Sequence, residues 1–274
     1  MRGPSRDHGF ALIIVLWGLV VIGLLISHLT AAGRTEAKIA RNMIANAEAS
    51  AAADGGIAAA IYHLTQSDEN VRWQADGAAH TIKIGSITLS VRSWSEAGKI
   101  NPNLASDALM SALLQATGVD ASRAETLALS IGGWHDLVRQ SRQGGGAGDY
   151  AAAGLDYGPP GSSIEDIGEL HRVLGMTPDN LSKLRPHLSL WIQSESPVET
   201  GADPVVARAV ELVAKKAGVI VAPMFRPTLL TVSILAEATA SSGARFTRHA
   251  VVQTGPGLEK GYRILAWDTG QDEE

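Results

Sequence analysis

Residues 9–29 read GFALIIVLWGLVVIGLLISHL, an apolar run that contains no Asp, Glu, Lys or Arg. Twenty such residues in a helix measure about 30 Å, which is the thickness of the hydrocarbon core of a bilayer. Basic residues flank the run on both sides, at Arg2 and Arg6 before it and Arg34 after it, so the positive-inside rule does not orient it. The run predicts a transmembrane helix over residues 10–30.

Three interpretations of this segment are open. A secretory signal peptide has an apolar region of about 7–15 residues, and this run is longer than that. An ordinary single-span anchor is compatible with the composition. The third interpretation places a proteolytic cut after Gly9, so that residues 1–9 are a cleaved leader and the whole apolar run stays on the mature protein.

The residues after the span favour the third interpretation, because they continue a helical pattern. No proline occurs between Phe10 and Tyr62, and helix-compatible residues dominate. Apolar residues recur at spacings of three and four, at Ile39, Met43, Ala47, Ile57, Ile61 and Leu64, which indicates one apolar helix face. We predict one continuous helix over residues 10–65, about 80 Å long. A short anchor followed by a separate helix is the alternative.

The body of the chain predicts an antiparallel sheet that is interrupted by helices. Residues 80–94, HTIKIGSITLSVRSW, alternate between apolar and polar and change phase at Gly85–Ser86, which predicts a β-hairpin. Three further strands are predicted at residues 228–240, 244–254 and 261–268. The result is an α+β fold: the long helix packs on a sheet built from residues 66–99 and 194–274, and an all-α subdomain, residues 100–193, is inserted between the strands.

Capping signals divide the helical part of the chain. Gly118 ends one helix, and a second begins near Ser122. Ser163 is the predicted N-cap of a third helix, and Thr177 followed by Pro178 begins a fourth. A short helix is also predicted from Val205 to Lys216.

Composition narrows the classes of function. Lys and Arg number 23 against 28 Asp and Glu, a net charge of −5, which argues against a general nucleic-acid binder. The chain has no cysteine, which excludes disulfides and thiolate metal sites. Its eight histidines contain no HExxH pair, the glycine-rich loop at residues 143–148 lacks the Lys-Ser/Thr of a phosphate loop, and no catalytic constellation is present. We therefore predict a protein that is not an enzyme.

Two binding hypotheses come from the residues alone. Asp136 and Asp149 bracket the glycine-rich loop, and carboxylates in such loops can bind calcium. The alternative is a solvated loop without metal. Residues 170–188, LHRVLGMTPDNLSKLRPHL, have the pattern of a helix-hairpin-helix around Gly175, whose helix start could hold a phosphate. This leaves a membrane-tethered nucleic-acid-binding module as an alternative function.

Three stretches together resemble one family. GFALIIVLW, from Gly9, is similar to a type IV pilin-like leader and its apolar helix. Residues 95–118, SEAGKINPNLASDALMSALLQATG, and residues 148–191 resemble the signature and the inserted helices of the general secretion pathway protein K family, the K-type minor pseudopilins of type II secretion. The signature residues are Gly98, Lys99, Ile100, Asn101 and Asn103.

The resemblance implies a function for the whole chain. It implies a subunit at the tip of the type II secretion pseudopilus, complexed with the I-type and J-type minor pseudopilins and supporting export across the outer membrane. A prepilin peptidase would cut after Gly9 and methylate the amine of Phe10. Pilin-like proteins carry glutamate at the fifth mature position, and the K-type lacks this glutamate. In this chain the fifth position after the cut is Ile14.

It also implies location and further partners. The chain would be a single-pass protein of the bacterial inner membrane with its body in the periplasm, near secreted substrates or the outer-membrane channel, and without nucleic acid. Calcium near Asp136 is a feature of some relatives. A minor subunit of a type IV pilus is the neighbouring alternative.

Overall fold

The computed structural model describes residues 8–136, 145–197, 203–218 and 229–270. Its first element, α1, runs without interruption from His8 to Leu64. The 57 residues correspond to about 85 Å of helix, which confirms the prediction of one long helix. Among the described residues, α1 is the one helix long and apolar enough to cross a membrane, by length and composition. Residues 12–28 of this helix are all exposed.

The strands form one antiparallel sheet. Within the described residues five strands pair in chain order: β1 His80–Ile84, β2 Ile87–Ser95, β3 Leu230–Ala240, β4 Arg245–Thr254 and β5 Tyr262–Thr269. The predicted hairpin is confirmed, since Gly85 and Ser86 connect β1 to β2. Gly85 has a φ of 57°, a conformation that favours glycine.

The strands before and after the inserted helices, β2 and β3, are neighbours at the centre of this sheet. Strand β2 is antiparallel to β3, with Ile87 opposite Ala240 and Ser95 opposite Val232. The helices between β2 and β3 are therefore an insertion into the sheet, as predicted. The neighbouring β3–β4 pair runs from Leu230 opposite Thr254 to Thr239 opposite Arg245.

The C-terminal half of α1 covers one face of the sheet. Ile57 of the helix and Leu89 and Ile234 of the sheet are all fully buried, and burial of each such side chain stabilises the fold by about 1.5–3 kcal/mol. At Gly56 the two layers approach most closely, because a Cβ there would lie 3.0 Å from the Cβ of Ala236. The small residues that permit this contact are Ala49, Ala52, Ala53, Ala60, Ala236, Ala238 and Ala250.

The first part of the predicted apolar face does not pack on this chain. Ile39 and Met43 are 54% and 67% exposed, and Ala47 is also exposed. Burial begins at Ala49, because the sheet reaches only as far as that turn of α1. These residues therefore have the spacing of an apolar helix face but no intramolecular partner in the part of the chain described.

The inserted helices form a second core. They are α2 Asp107–Ala116, α3 Ala121–His135, α4 Ala147–Ala152, a 3-10 turn Ile167–Arg172, α5 Pro178–Leu184, a 3-10 turn Arg185–His187 and α6 Pro204–Ala217. Leu113, Leu127 and Leu184 are almost completely buried at its centre. Val206 and Ala209 attach α6 to the same core.

Three predictions at helix ends are confirmed and one is wrong. Gly118, with φ of 100°, follows the end of α2, and Thr177 accepts a hydrogen bond from the N–H of Asn180 at the start of α5. The second helix begins at Ala121, next to the predicted Ser122, and is capped by Asp120, whose carboxylate accepts from the N–H groups of Ser122 and Arg123. The segment after Ser163 forms only a 3-10 turn, which is capped by Asp166.

Candidate functional site

The start of α1 contains the predicted processing site. Gly9 and Phe10 lie within the helical backbone, and the side chain of Phe10 lies outside the part that the structure describes. Ile14 is described and is 56% exposed. The sequence has no Asp or Glu from Phe10 to Gly33. This part of the helix therefore carries no carboxylate that would need a counter-ion in a membrane.

A second exposed surface follows the span. Ile39, Met43 and Ile44 are 54%, 67% and 60% exposed on a helix that is continuous with the span. Contiguous apolar side chains on an exposed helix are typical of an interaction surface. Together with the span, they make the N-terminal half of α1 the main candidate for contact with membrane or protein.

A cluster around Arg248 holds α1 against strand β4. The Nε of Arg248 donates to Oδ1 of Asp54 at 2.6 Å, and its Nη2 donates to Ser50 at 3.4 Å. The guanidinium also lies over the rings of Phe246 and Trp267, 4.9 and 5.4 Å from their centroids. Sequence reasoning missed this cluster, because no local spacing connects residues that are 194 positions apart.

The predicted signature lies at the junction of the sheet and the inserted helices. Glu96, just before it, is 2% exposed, and its Oε1 accepts hydrogen bonds from Lys99 Nζ and Ser233 Oγ, each at 2.8 Å. Gly98 is buried within this turn. Lys99 therefore neutralises a buried carboxylate at the point where the chain leaves the sheet.

The rest of the signature joins the two ends of the insertion. Ile100 exchanges backbone hydrogen bonds with His187 and Ser189. The side-chain amide of Asn101 donates to the carbonyl of Ile192 at 2.7 Å. Asn103 pairs with the backbone of Ile164 in both directions, at 2.8 and 2.9 Å. These residue types are needed because each amide satisfies backbone groups of distant loops.

The predicted calcium residues do not come together as a cage in the described residues. Oδ2 of Asp149 accepts from the N–H groups of Gly145 and Gly146, at 2.6 and 3.1 Å, so this carboxylate caps α4. Asp136 ends α3, and residues 137–144 of the loop lie outside the described part. No group of three or more His, Asp or Glu residues with metal-binding geometry occurs among the described residues. Calcium at Asp136 and Asp149 stays a prediction.

The Gly175 hairpin has the predicted turn but unfavourable charge for a phosphate. Gly175 has φ of 84°, and α5 follows it. The hydroxyl of Thr177 already accepts an N–H at the start of α5, and Asp179 lies in its first turn. Lys183 pairs with Asp179 at 2.8 Å. A carboxylate in the first turn repels a phosphate at the helix start, so the hairpin does not support the nucleic-acid alternative.

Among the described residues two side chains have shifted pKa values, and both have structural roles. Burial raises the pKa of the Tyr150 phenol, whose oxygen accepts the N–H of Leu174 at 2.9 Å. The hydroxyl and backbone N–H of Ser122 lower the pKa of Asp120, the N-cap of α3. Neither group lies in a constellation that suggests catalysis.

Comparison with known proteins gives two findings. Residues 89–193 match the family model for the type II secretion system, protein K. The fold is similar to a chain of the crystal structure of the GspK-GspI-GspJ complex from the enterotoxigenic Escherichia coli type 2 secretion system. That similarity has a TM-score of 0.58 at 16% identity, and it covers 88% of this chain and 99% of the other. Among curated protein sequences, none matches this chain significantly.

Proposed function

Because residues 89–193 match the family model for the type II secretion system, protein K, we propose that this chain is the minor pseudopilin at the tip of the type II secretion pseudopilus. It is a structural component of secretion and not an enzyme. Its partners are the I-type and J-type minor pseudopilins, and it supports export across the outer membrane. The observation that carries the proposal is the matched helical domain inserted into a sheet that packs on a long, apolar N-terminal helix.

The exposed half of α1 supports assembly with other pilin-like subunits. Ile39, Met43 and Ile44 have no partner in the described part of this chain, and helices of neighbouring subunits would cover them. The similar fold described above belongs to a chain of a GspK-GspI-GspJ complex, which supports partners of the same kind for this chain. The position at the tip remains the finer part of the proposal.

Ile14 supports that finer part. A carboxylate inside a bilayer is retained only when it is paired, and in other subunits it would pair with the N-terminal amine of the subunit ahead. A subunit with nothing ahead of it has no amine to pair with. Isoleucine at this position is therefore what a tip subunit needs, and the helical insertion between β2 and β3 would block further addition sterically.

The proposed location follows from the same segment. Residues 10–30 would anchor the chain in the bacterial inner membrane, with the sheet and the inserted helices in the periplasm. A prepilin peptidase would cut after Gly9 and methylate the amine of Phe10. Glycine is suited to this position because a side chain at the cut would have to fit the protease.

The experiment is the intact mass and the N-terminal peptide of the membrane-extracted protein, with and without prepilin peptidase. The expected product begins at N-methylated Phe10 only when the peptidase is present. A chain that still begins at Met1 with the peptidase present would contradict the pseudopilin proposal. Co-purification with I-type and J-type pseudopilins, and loss of secretion on deletion, test the assembly part separately.

A further inference from the structure

Three basic residues form a stripe on α1 directly after the apolar span. Arg34, Lys38 and Arg41 are spaced i, i+4 and i+7, so they point from the helix within an arc of about 60°. All three are exposed. We name this set the basic stripe. It belongs neither to the sheet-facing surface of α1 nor to the signature junction described above.

The stripe begins at the height of the lipid headgroups and continues beyond them, since the headgroup layer is about 5–8 Å thick on each side of the bilayer. The apolar run ends at Leu29, and Arg34 follows about 8 Å and Arg41 about 18 Å further along the axis. Side chains of a helix tilt toward its N-terminus, which here is the direction of the membrane. Arginine and lysine also extend their charged ends along apolar surfaces toward the headgroup layer. Arg34 can therefore contact the headgroups, while Lys38 and Arg41 lie further out on the same side and attract the anionic surface over about a Debye length.

The stripe has no counter-charge within the described part of the chain. No ion pair of Arg34, Lys38 or Arg41 is found among the described residues. Glu36 lies about 200° around the helix from Arg34, on the opposite side. Glu48 lies about 10 Å beyond Arg41. Glu48 lies on the same side of the helix as Arg41 but is too far along the axis for an ion pair, so the cations of the stripe are not paired with either acid.

The stripe is unexpected for the orientation proposed above. The positive-inside rule places excess Lys and Arg on the cytoplasmic side. Once residues 1–9 are removed, the basic residues next to the span would all lie on the periplasmic side. Three cations kept there, in a chain of net charge −5, point to a ligand that requires them.

We propose that the basic stripe binds the phosphate groups of anionic membrane phospholipids on the leaflet where the body of the protein lies. This rests on the membrane anchoring in the proposed function, and it adds a lipid ligand to that function. Each Lys or Arg near an anionic surface contributes about 1 kcal/mol, or about fivefold in association. Bound headgroups would fix the depth and rotation of α1, and so the face that Ile39 and Met43 present to partner subunits.

The test measures lipid selectivity of the full-length chain alone, reconstituted in bilayers without other pseudopilins. Spin-labelled phosphatidylglycerol and phosphatidylcholine report by electron paramagnetic resonance which lipid is immobilised at the protein. The expected result is preference for phosphatidylglycerol in the wild type. The triple variant R34Q/K38Q/R41Q should lose it, with up to about fivefold lost per side chain.

Two variants control for charge and for structure. K83Q/R92Q/K260Q removes three exposed positive charges from the sheet and its loops, and it should keep the selectivity. R34K/R41K keeps the positive charges and should keep the lipid selectivity as well. A parallel measurement with inorganic phosphate in solution distinguishes a lipid headgroup from free phosphate as the ligand. If millimolar phosphate abolishes the preference as effectively as excess phosphatidylglycerol does, the site binds free phosphate and the lipid proposal is wrong.

Two other outcomes would also overturn the proposal. One is selectivity that survives in R34Q/K38Q/R41Q, and the other is selectivity that the sheet variant loses equally. If the triple variant keeps its lipid preference but no longer co-purifies with other pseudopilins, the stripe binds acidic residues of a partner instead. Lipid selectivity is measured on the single chain, whereas the pseudopilin assignment is tested by the N-terminal mass. Failure of the lipid proposal can therefore be distinguished from failure of the pseudopilin assignment.

Discussion

Asn101 donates its side-chain amide to the carbonyl oxygen of Ile192 at 2.7 Å, across 91 residues of sequence. The same side chain accepts the N–H of Asn103 at 2.9 Å, and it is 4% exposed. One buried amide therefore connects the entry of the helical insertion to its exit. The insertion is therefore attached to the sheet as a closed unit.

Asn101→Ala should destabilise the protein by about 1–3 kcal/mol, because it leaves buried backbone groups unpaired. The measurement is urea unfolding of the full-length protein in mild detergent. Asn70→Ala is the control, since Asn70 is exposed and its hydrogen bonds are to a residue two positions away. Equal stability of the two variants would show that the amide does not hold the insertion closed.

Glu96→Gln should also destabilise the fold, by about 2–4 kcal/mol. The carboxylate is almost fully buried and accepts from Lys99 and Ser233, and removing its charge leaves the ammonium of Lys99 without its partner. Glu69→Gln is the control, because the Glu69 side chain is 84% exposed in its pair with Arg72. A double variant E96Q/K99M should recover part of the loss, and no recovery would contradict the ion-pair explanation.

The long helix, the hairpin and the order of strands could be predicted, because each has a local signal. The absence of proline predicts the length of α1, and the phase change at Gly85 predicts the first turn. The role of Asn101 could be recognised only as part of a motif, since its partners are about 90 residues away. Arg248 and Asp54 had no signal at all, because their contact depends on how the helix crosses the sheet.

Two local predictions failed because tertiary contacts decided them. Ile39 and Met43 have the spacing of a buried face, but burial depends on where the sheet ends and not on periodicity. The 3-10 turn at Ile167–Arg172 replaced a predicted α-helix because Asp166 caps the chain three residues later than Ser163. Of the two calcium candidates, Asp149 is engaged by its own helix start, which sequence spacing does not reveal.

Gly56→Ala should be less stable than Gly55→Ala by about 1–3 kcal/mol. Both changes gain the same helix propensity, about 1 kcal/mol. A methyl at Gly56 would lie 3.0 Å from Ala236 and 3.3 Å from Val91, while one at Gly55 would meet only Ile84, at 3.7 Å. Neighbouring glycines in one helix thus serve as test and control for the close packing of α1 on the sheet. Equal thermal stability of the two variants would show that the layers can separate without cost.

Alkaline pH should destabilise the wild type more than Tyr150→Phe. Burial raises the pKa of Tyr150 above its ordinary value of 10.0, so the folded state holds the phenol proton more tightly than the unfolded state. This contribution is fully present below pH 10 and is lost as the pH rises through the raised pKa. Tyr150→Phe removes this pH-dependent contribution. At neutral pH the variant is less stable by about 1 kcal/mol, because the N–H of Leu174 loses its hydrogen-bond acceptor.

The measurement for Tyr150 is the free energy of unfolding between pH 8 and 11. The difference between wild type and Tyr150→Phe should shrink as the pH rises above 10. Tyr62→Phe serves as the matched control, since Tyr62 is 61% exposed, and its difference from wild type should stay constant. A difference that is independent of pH for Tyr150→Phe would mean that the phenol ionises as easily in the folded state.

Ile14→Glu tests the proposed position at the tip. A carboxylate added to this exposed, apolar turn needs a partner in the bilayer, and a subunit with no neighbour ahead has no amine to supply one. We expect less membrane-inserted protein and less secretion than in wild type. Ile14→Leu, which keeps the apolar surface, should behave as wild type. If Ile14→Glu instead assembles normally and co-purifies with more of the other pseudopilins, a neighbouring amine is available, and the subunit lies within the filament and not at its end.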